Sequence, residues 1–193
     1  MNLYRVGYNL VKVVFHSTYR IEVIGSENVP KDGGILLCSN HISNFDPPMV
    51  GICAPRPIHF MAKDELFKYP VVKQLMQSIN AFPVKRGMGD KQALRQGLKL
   101  LKEGEVLGLF PEGTRSKTGE LGEGLSGAGF FALRSNAYVV PAAVIGSYKP
   151  FSKVKVAFGK PIDMQSLRDE KASAKEATAA IMASIAELLE KYK

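Results

Sequence analysis

Short apolar runs alternate with helix-like segments along almost the whole chain, and this alternation restricts the possible folds more than any other feature. Apolar or alternating runs bounded by glycine and proline predict strands at residues 20–24, 34–39, 57–61, 81–84, 105–110, 137–145 and 153–158. Helical spacing and capping signals predict helices at residues 1–19, 69–79, 91–102, 126–135 and 174–192. We expect Pro141 to interrupt the sixth strand. The alternation predicts an α/β fold, in which helices pack against a sheet.

The composition is that of one folded domain. The 193 residues are 46% hydrophobic and 23% charged, with no internal repeat or linker. Cys38 and Cys53 lie in apolar settings and are expected to be buried free thiols in a reducing compartment. No set of four cysteine or histidine ligands is present, and the glycine-rich segment 119–129 lacks a Walker lysine or dinucleotide-binding spacing. We therefore expect neither a metal nor a cofactor.

The net charge of +8 limits the classes of partner. A basic surface suits nucleic acid, an anionic membrane or a phosphorylated substrate. The chain has no recognisable nucleic-acid-binding signature, and few aromatic residues lie among its basic ones. A membrane or a phosphate group is therefore the favoured partner.

The N-terminal segment 1–19 has the pattern of an amphipathic helix. Arg5, Asn9, Lys12 and His16 recur at helical spacing as a narrow polar stripe, while apolar residues fill the rest of the surface. A wide apolar face edged by cations favours a helix that lies among lipid headgroups. The segment is too short and interrupted for a spanning helix and lacks a signal-peptide cleavage site. The alternative is a helix that packs on the protein's own core.

A histidine precedes an aspartate by five residues, directly after the apolar run 34–39. The His41 imidazole is the side chain best suited to accept a proton near neutral pH, and the Asp46 carboxylate can orient it. This H-x-x-x-x-D spacing is interpreted as a general base with its orienting acid. The alternative is a half-buried histidine beside an ordinary turn. His16 is expected to be exposed, and His59 to be structural.

Two further segments place cations where predicted strands end. The turn Phe110-Pro111-Glu112-Gly113-Thr114-Arg115 follows the strand 105–110, and ligands favour such carboxyl ends in α/β proteins. Gly113 permits close backbone approach, Arg115 offers a planar fork for phosphate, and Glu112 shapes the loop or balances the basic cluster. Lys85 and Arg86 follow the strand 81–84 in the same way. Each segment taken alone is also compatible with a solvated surface turn.

These segments occur in the order of four known sequence blocks. Asn40-His41 with Asp46, then Phe-Pro-Val-Lys-Arg at 82–86, Phe-Pro-Glu-Gly-Thr-Arg at 110–115 and finally Val140-Pro141 resemble the blocks of the glycerolipid acyltransferases. Within that family they are most similar to the 1-acyl-sn-glycerol-3-phosphate (lysophosphatidic acid) acyltransferases. The first and third blocks are specific at this separation, while the second and fourth corroborate by their order. The similarity runs from about residue 21 to residue 160.

The resemblance implies a fold and a set of residue roles. The fold would be a single α/β domain, residues 20–193, with a mixed and mostly parallel sheet flanked by helices, after an amphipathic membrane helix at residues 1–19. His41 would be the general base and Asp46 its partner. The acceptor-binding residues would be the phosphate-binding Arg86 and Arg115, a weaker phosphate contact from Lys63, and the wall residues Glu112, Gly113 and Thr114.

The resemblance also implies a reaction. An acyl thioester of acyl carrier protein or coenzyme A would donate its acyl group to the sn-2 hydroxyl of lysophosphatidic acid, on the cytoplasmic face of an anionic membrane. The product would be phosphatidic acid, for phospholipid biosynthesis. No Gly-x-Ser-x-Gly elbow is present, which favours direct attack over an acyl-serine intermediate. The open alternatives are another lysolipid or glycerol 3-phosphate as acceptor, a non-catalytic binder of anionic membranes, and a lipid hydrolase.

Overall fold

The computed structural model describes residues 3–85 and 90–193, and within them seven strands form one sheet. The strands are β1 Arg20–Ile24, β2 Ile35–Ser39, β3 Ile58–Lys63, β4 Phe82–Val84, β5 Val106–Leu109, β6 Tyr138–Gly146 and β7 Lys153–Phe158. Their order across the sheet is β1-β7-β6-β2-β5-β3-β4. The pair β6–β7 is antiparallel, and the other five pairs are parallel. The mixed, mostly parallel sheet is confirmed.

Helices cover both faces of this sheet. They are α1 Leu3–Thr18, α2 Asp46–Cys53, α3 Pro70–Ser78, α4 Lys91–Lys102, α5 Gly127–Arg134, α6 Gln165–Asp169 and α7 Ala174–Tyr192, with short 3₁₀ helices at Ser26–Asn28 and Asp64–Lys68. One apolar core lies between the sheet and α1 and α2, and a second lies between the sheet and α4, α5 and α7. Alternate residues of β2 enter the two cores, so the whole strand is buried. This is why it reads as a continuous apolar run.

The predicted break at Pro141 is wrong, because β6 continues through this residue. The Pro141 carbonyl accepts a hydrogen bond from the Gly159 N–H, so the proline nitrogen faces the β7 side of the strand. The β6–β7 ladder begins only at the pair Ala142–Phe158. The missing N–H of Pro141 therefore lies just outside the β6–β7 ladder, and no hydrogen bond of that ladder is lost.

The described part of α1 has two apolar faces. Tyr8, Val11 and Phe15 pack against the core, and Phe15 is buried. Leu10 and Val13 are 64% and 65% exposed on another side of the helix. The helix thus packs on its own protein with one face and leaves a second apolar face uncovered. Among the described residues, no helix has the length and apolarity needed to cross a bilayer.

Candidate active site

The predicted residues of the first and third blocks lie at the carboxyl edge of two neighbouring strands, and a third strand adds Tyr148. The central strand β2 leads into Asn40 and His41, and its parallel neighbour β5 leads into Phe110 and Glu112. On the other side, β2 is parallel to β6, and the segment after β6 carries Tyr148. Sheet order therefore brings together residues that are up to about a hundred positions apart in sequence.

His41 and Asp46 form a buried hydrogen-bonded pair. The Nδ1 atom of His41 lies 2.8 Å from Oδ2 of Asp46, and the two residues are 8% and 0% exposed. The same carboxylate oxygen accepts the backbone N–H groups of Ile42 and Ser43 at 2.6 and 2.7 Å. An ionised carboxylate only accepts, so Nδ1 of His41 carries the proton and Nε2 is left as the basic nitrogen.

Local structure favours a negative charge on Asp46. It is the first residue of α2, where the unpaired N–H groups and the helix dipole stabilise an anion. Pro47 and Pro48 occupy the first turn, where a missing N–H costs nothing. The Oδ1 atom accepts a hydrogen bond from the Tyr148 hydroxyl at 2.8 Å. Both carboxylate oxygens are therefore held in place.

Two phenylalanine rings fix the plane of the imidazole. The ring of His41 stacks on that of Phe110, with centroids 4.2 Å apart and an interplanar angle of 22°. Phe60, from the adjacent strand β3, stacks on Phe110 at 5.8 Å and 10°. This column leaves the imidazole little freedom to rotate, as a positioned base requires.

The carboxylate of Glu112 joins two segments of backbone. Its Oε1 accepts the backbone N–H of His41 at 2.7 Å, and its Oε2 accepts that of Gly122 at 3.0 Å. Glu112 is buried, which makes these charge-assisted bonds to the backbone strong. The contacts support the expectation that Glu112 shapes the loop, since it joins the His41 backbone to the loop that carries Arg115.

The loop after β5 presents its polar side chains to solvent. Gly113 adopts φ of +67°, a left-handed conformation that favours glycine, and Thr114 and Arg115 are exposed. Glu112, Thr114 and Arg115 line one side of a hollow of about 270 Å³. The N–H of Ser116 donates to the His41 carbonyl at 2.8 Å. Arg115 is therefore the chain neighbour of a residue that contacts the His41 backbone.

Two further predicted cations, Lys63 and Lys85, lie at the carboxyl ends of β3 and β4. Lys63 ends β3, which is the neighbour of β5, and its exposed ammonium pairs with Glu65 at 3.4 Å. Lys85 follows β4 and is exposed, and its N–H donates to the Asp90 side chain. Arg86, predicted to bind phosphate, lies outside the described residues.

Two contributions to the site were missed in the sequence. The side-chain amide of Asn40 donates to the Val144 carbonyl at 2.9 Å and accepts the Val144 N–H at 2.7 Å, which ties the start of the motif to β6. Tyr148 reaches Asp46 across 102 positions, and no local pattern marks it. Asn40 could have been found from the sequence, because it belongs to the first block with His41. No sequence pattern points to Tyr148.

Comparison with known proteins finds acyltransferases that are similar to this chain in sequence. Residues 20–145 match the sequence model of the family described as Acyltransferase. The chain is 35% identical over 166 residues to the 1-acyl-sn-glycerol-3-phosphate acyltransferase of Bacillus subtilis, covering 83% of this chain and 82% of that protein. It is 29% identical over 136 residues to the enzyme of the same name in Borreliella burgdorferi, covering 69% and 54%.

A solved structure has the same architecture. The crystal structure of the 1-acyl-sn-glycerophosphate acyltransferase from Thermotoga maritima aligns with a TM-score of 0.71 and 26% sequence identity. The alignment covers 96% of this chain and 78% of the other. The fold of this chain is therefore that of a known acyltransferase structure.

Proposed function

Because this chain belongs to the acyltransferase family, we propose that it transfers a fatty acyl group from an acyl thioester to the sn-2 hydroxyl of 1-acyl-sn-glycerol 3-phosphate. The product is phosphatidic acid, a precursor of membrane phospholipids. The observation that carries the proposal is the buried His41–Asp46 pair at the carboxyl edge, beside a loop that exposes Arg115. The names of the relatives support this choice of acceptor.

In the proposed mechanism, Nε2 of His41 takes the proton of the acceptor hydroxyl as its oxygen attacks the thioester carbonyl carbon. Asp46 keeps the proton on Nδ1 and stabilises the imidazolium that forms. The tetrahedral intermediate collapses, the carbon–sulfur bond breaks, and the thiolate leaves and takes the proton from His41. No acyl-enzyme is needed, so positioning of the two substrates supplies much of the rate.

The acceptor phosphate binds Arg115, whose planar fork suits it, on the loop joined to His41. Lys63, at the end of β3, and Arg86 add positive charge. Gly113 and Thr114 line the phosphate, with Glu112 behind them as the wall that ties the loop to His41. A phosphorylated acceptor is favoured over a neutral lysolipid, because a neutral headgroup offers no anion for the exposed guanidinium of Arg115.

Residues 1–19 attach the catalytic domain, residues 20–193, to the cytoplasmic face of an anionic membrane. The uncovered apolar face of α1 supports this role, as do Lys12 on the same helix and the net charge of +8. Cys38 and Cys53 are buried free thiols, which suits a reducing compartment. The acyl donor, whether acyl carrier protein or coenzyme A thioester, is anionic and approaches a basic protein.

A donor–acceptor activity matrix tests the function. Purified protein given lysophosphatidic acid and either thioester should release free thiol and form phosphatidic acid. His41→Ala should lower the rate by about 10²- to 10⁴-fold, the usual contribution of a general base. His59→Gln, which changes the half-buried histidine beside Glu105, is the matched control and should keep the wild-type rate.

Other outcomes would identify the alternatives. Equal rates for wild-type and His41→Ala protein would contradict the mechanism. Release of fatty acid without dependence on the acceptor would identify a hydrolase, and faster turnover of glycerol 3-phosphate or a neutral lysolipid would replace the proposed acceptor. Vesicle binding without turnover would identify a membrane-binding protein on this scaffold.

A further inference from the structure

We propose that Tyr148 is a positioning residue for acyl transfer, whose hydroxyl holds the Asp46 carboxylate in the orientation that aligns His41. This inference rests on the proposed function, and it adds a residue that none of the four sequence blocks contains. It also gives α1 a part in the active site besides membrane attachment.

The hydrogen bonds to Asp46 divide between its two oxygens. Oδ2 faces Nδ1 of His41 and the N–H groups of Ile42 and Ser43, all within five residues of Asp46 in the chain. Oδ1 faces the Tyr148 hydroxyl at 2.8 Å, which comes from the segment after β6. Local backbone thus holds one oxygen, while a residue 102 positions away fixes the rotation of the carboxylate about its side-chain bond.

Tyr148 is itself fixed by an aromatic cluster that consists of Phe15, Tyr19, Phe45 and Tyr148. The ring of Tyr148 meets Tyr19 edge-on at 5.5 Å and lies 5.6 Å from Phe45, the residue before Asp46. Phe15 of α1 meets both Tyr19 and Phe45 edge-on, at 5.6 and 5.9 Å. Edge-to-face contacts of this kind stabilise the packing of aromatic rings beyond the effect of burial. The end of α1 therefore helps to hold the phenol against Asp46.

The charge state of the phenol suits this role. Burial, and then the negative charge of Asp46 and its hydrogen bond, raise the pKa of Tyr148 well above its usual range. Cys53 and Tyr19 are the other titratable groups that act on it, and burial raises the pKa of Cys53 to about 12. The hydroxyl therefore stays protonated and remains a donor over the working pH range.

The test removes the hydroxyl and keeps the ring. In Tyr148→Phe, the buried Oδ1 atom of Asp46 loses its hydrogen-bond donor. The carboxylate can then rotate about its side-chain bond. We expect kcat to fall about 10- to 100-fold, the usual effect of losing a hydrogen bond to a charged group, with KM of donor and acceptor little changed. Without the Tyr148 hydrogen bond, the negative charge of Asp46 acts more strongly on His41 and favours the imidazolium over the neutral imidazole. The acidic limb of the rate–pH profile should move to higher pH.

Tyr138→Phe is the matched control. It removes the same atom at the opposite end of β6, from a ring that is 51% exposed, and should keep the wild-type kcat and pH profile. A Tyr148→Phe kcat within twofold of wild type would overturn the proposal. So would a lowered kcat with an unmoved acidic limb, since a purely structural role would produce that result.

A second measurement does not depend on turnover. In protein labelled at histidine, the Nδ1–H proton of His41 should resonate far downfield in wild type and move in Tyr148→Phe, with no such change in Tyr138→Phe. An unchanged resonance would overturn the positioning role even if the enzyme is active. A moved resonance would support it even if the proposed acceptor proved wrong, so the two proposals fail separately.

Discussion

Arg115 lies exposed on a loop whose backbone is hydrogen-bonded to that of His41, and the need for an arginine there can be tested directly. In Arg115→Lys the charge is kept but the planar fork is lost, so two parallel bonds to a phosphate become one. We expect KM for lysophosphatidic acid to rise about tenfold or more, the effect of losing one charge-assisted hydrogen bond, with KM for the thioester unchanged. Arg95→Lys, on the exposed side of α4, is the control. Unchanged acceptor kinetics would contradict the phosphate role.

At the scale of residues, the sequence pointed to the contact between His41 and Asp46 but not to the contacts that join distant segments. The spacing of His41 and Asp46 lies within one turn, so local chemistry was enough to pair them. The bonds from Glu112 to the His41 backbone and from Tyr148 to Asp46 span 71 and 102 positions. Such contacts depend on which strands are neighbours, and no local pattern encodes that.

Helices α5 and α7 pack so closely that one added methyl group tests the contact. A Cβ at Gly129 would lie 1.9 Å from the Ala174 carbonyl oxygen and 2.9 Å from the Thr178 nitrogen, both backbone atoms that cannot easily yield. We expect Gly129→Ala to destabilise the fold by about 1–3 kcal/mol, as overpacking usually does. The melting temperature, followed by circular dichroism, should fall by several degrees.

Gly127→Ala is the control for that change, because it adds the same methyl group to α5 where no atom lies within 4 Å. It should leave the melting temperature unchanged or raise it slightly, since alanine is the better helix former. Equal melting temperatures for the two variants would contradict the close α5–α7 contact.

At the scale of elements, the predicted helices and strands agree with the structure to within one or two residues at most ends. Asp90 caps the start of α4, and Ser173 and Glu176 form a capping box at the start of α7. Helix α2 was missed in the sequence. It begins with Asp46-Pro47-Pro48, which has the composition of a turn, and Asp46 was interpreted only as a catalytic group. Hydrophobic periodicity identifies long helices well, but a helix of eight residues is too short to show a clear period.

At the scale of the whole molecule, the proposed attachment to a lipid surface depends on α1. One face of this helix packs on the core, and a second apolar face is exposed, so the helix has features of both expected arrangements. Deletion of residues 1–18 would remove Phe15 from the core and from the aromatic cluster, so it would damage the site as well as the attachment. The exposed face must be changed alone.

We therefore predict the behaviour of the double variant Leu10→Gln with Val13→Gln. Burial of each apolar side chain in lipid is worth about 1.5–3 kcal/mol, so loss of both should weaken binding to anionic vesicles at least tenfold. Turnover of short-chain, water-soluble substrates should be kept. Val23→Gln, at an exposed position on the edge strand β1, is the control for vesicle sedimentation. Full co-sedimentation of the double variant would contradict attachment through α1.

The order of the sheet could not be read from the sequence. Strand β7 lies between β1 and β6 and runs antiparallel to β6, so the first and last strands of the chain are neighbours. A parallel pair of this kind has no sequence signature, because the chain between its strands contains almost the whole domain. The family resemblance supplied the mixed sheet, whereas periodicity alone supplied only the alternation.

The loop that carries Arg115 is anchored to the backbone of His41 at two points. Ser116 donates to the His41 carbonyl, and Gly122 is joined through Glu112 to the His41 N–H. Between these anchors Leu121 packs on the core and Gly119 adopts φ of +81°, whereas Lys117, Thr118 and Glu120 are exposed. Exchange of these three exposed residues would therefore change the surroundings of Arg115 while both anchor points, and with them His41, stay in place.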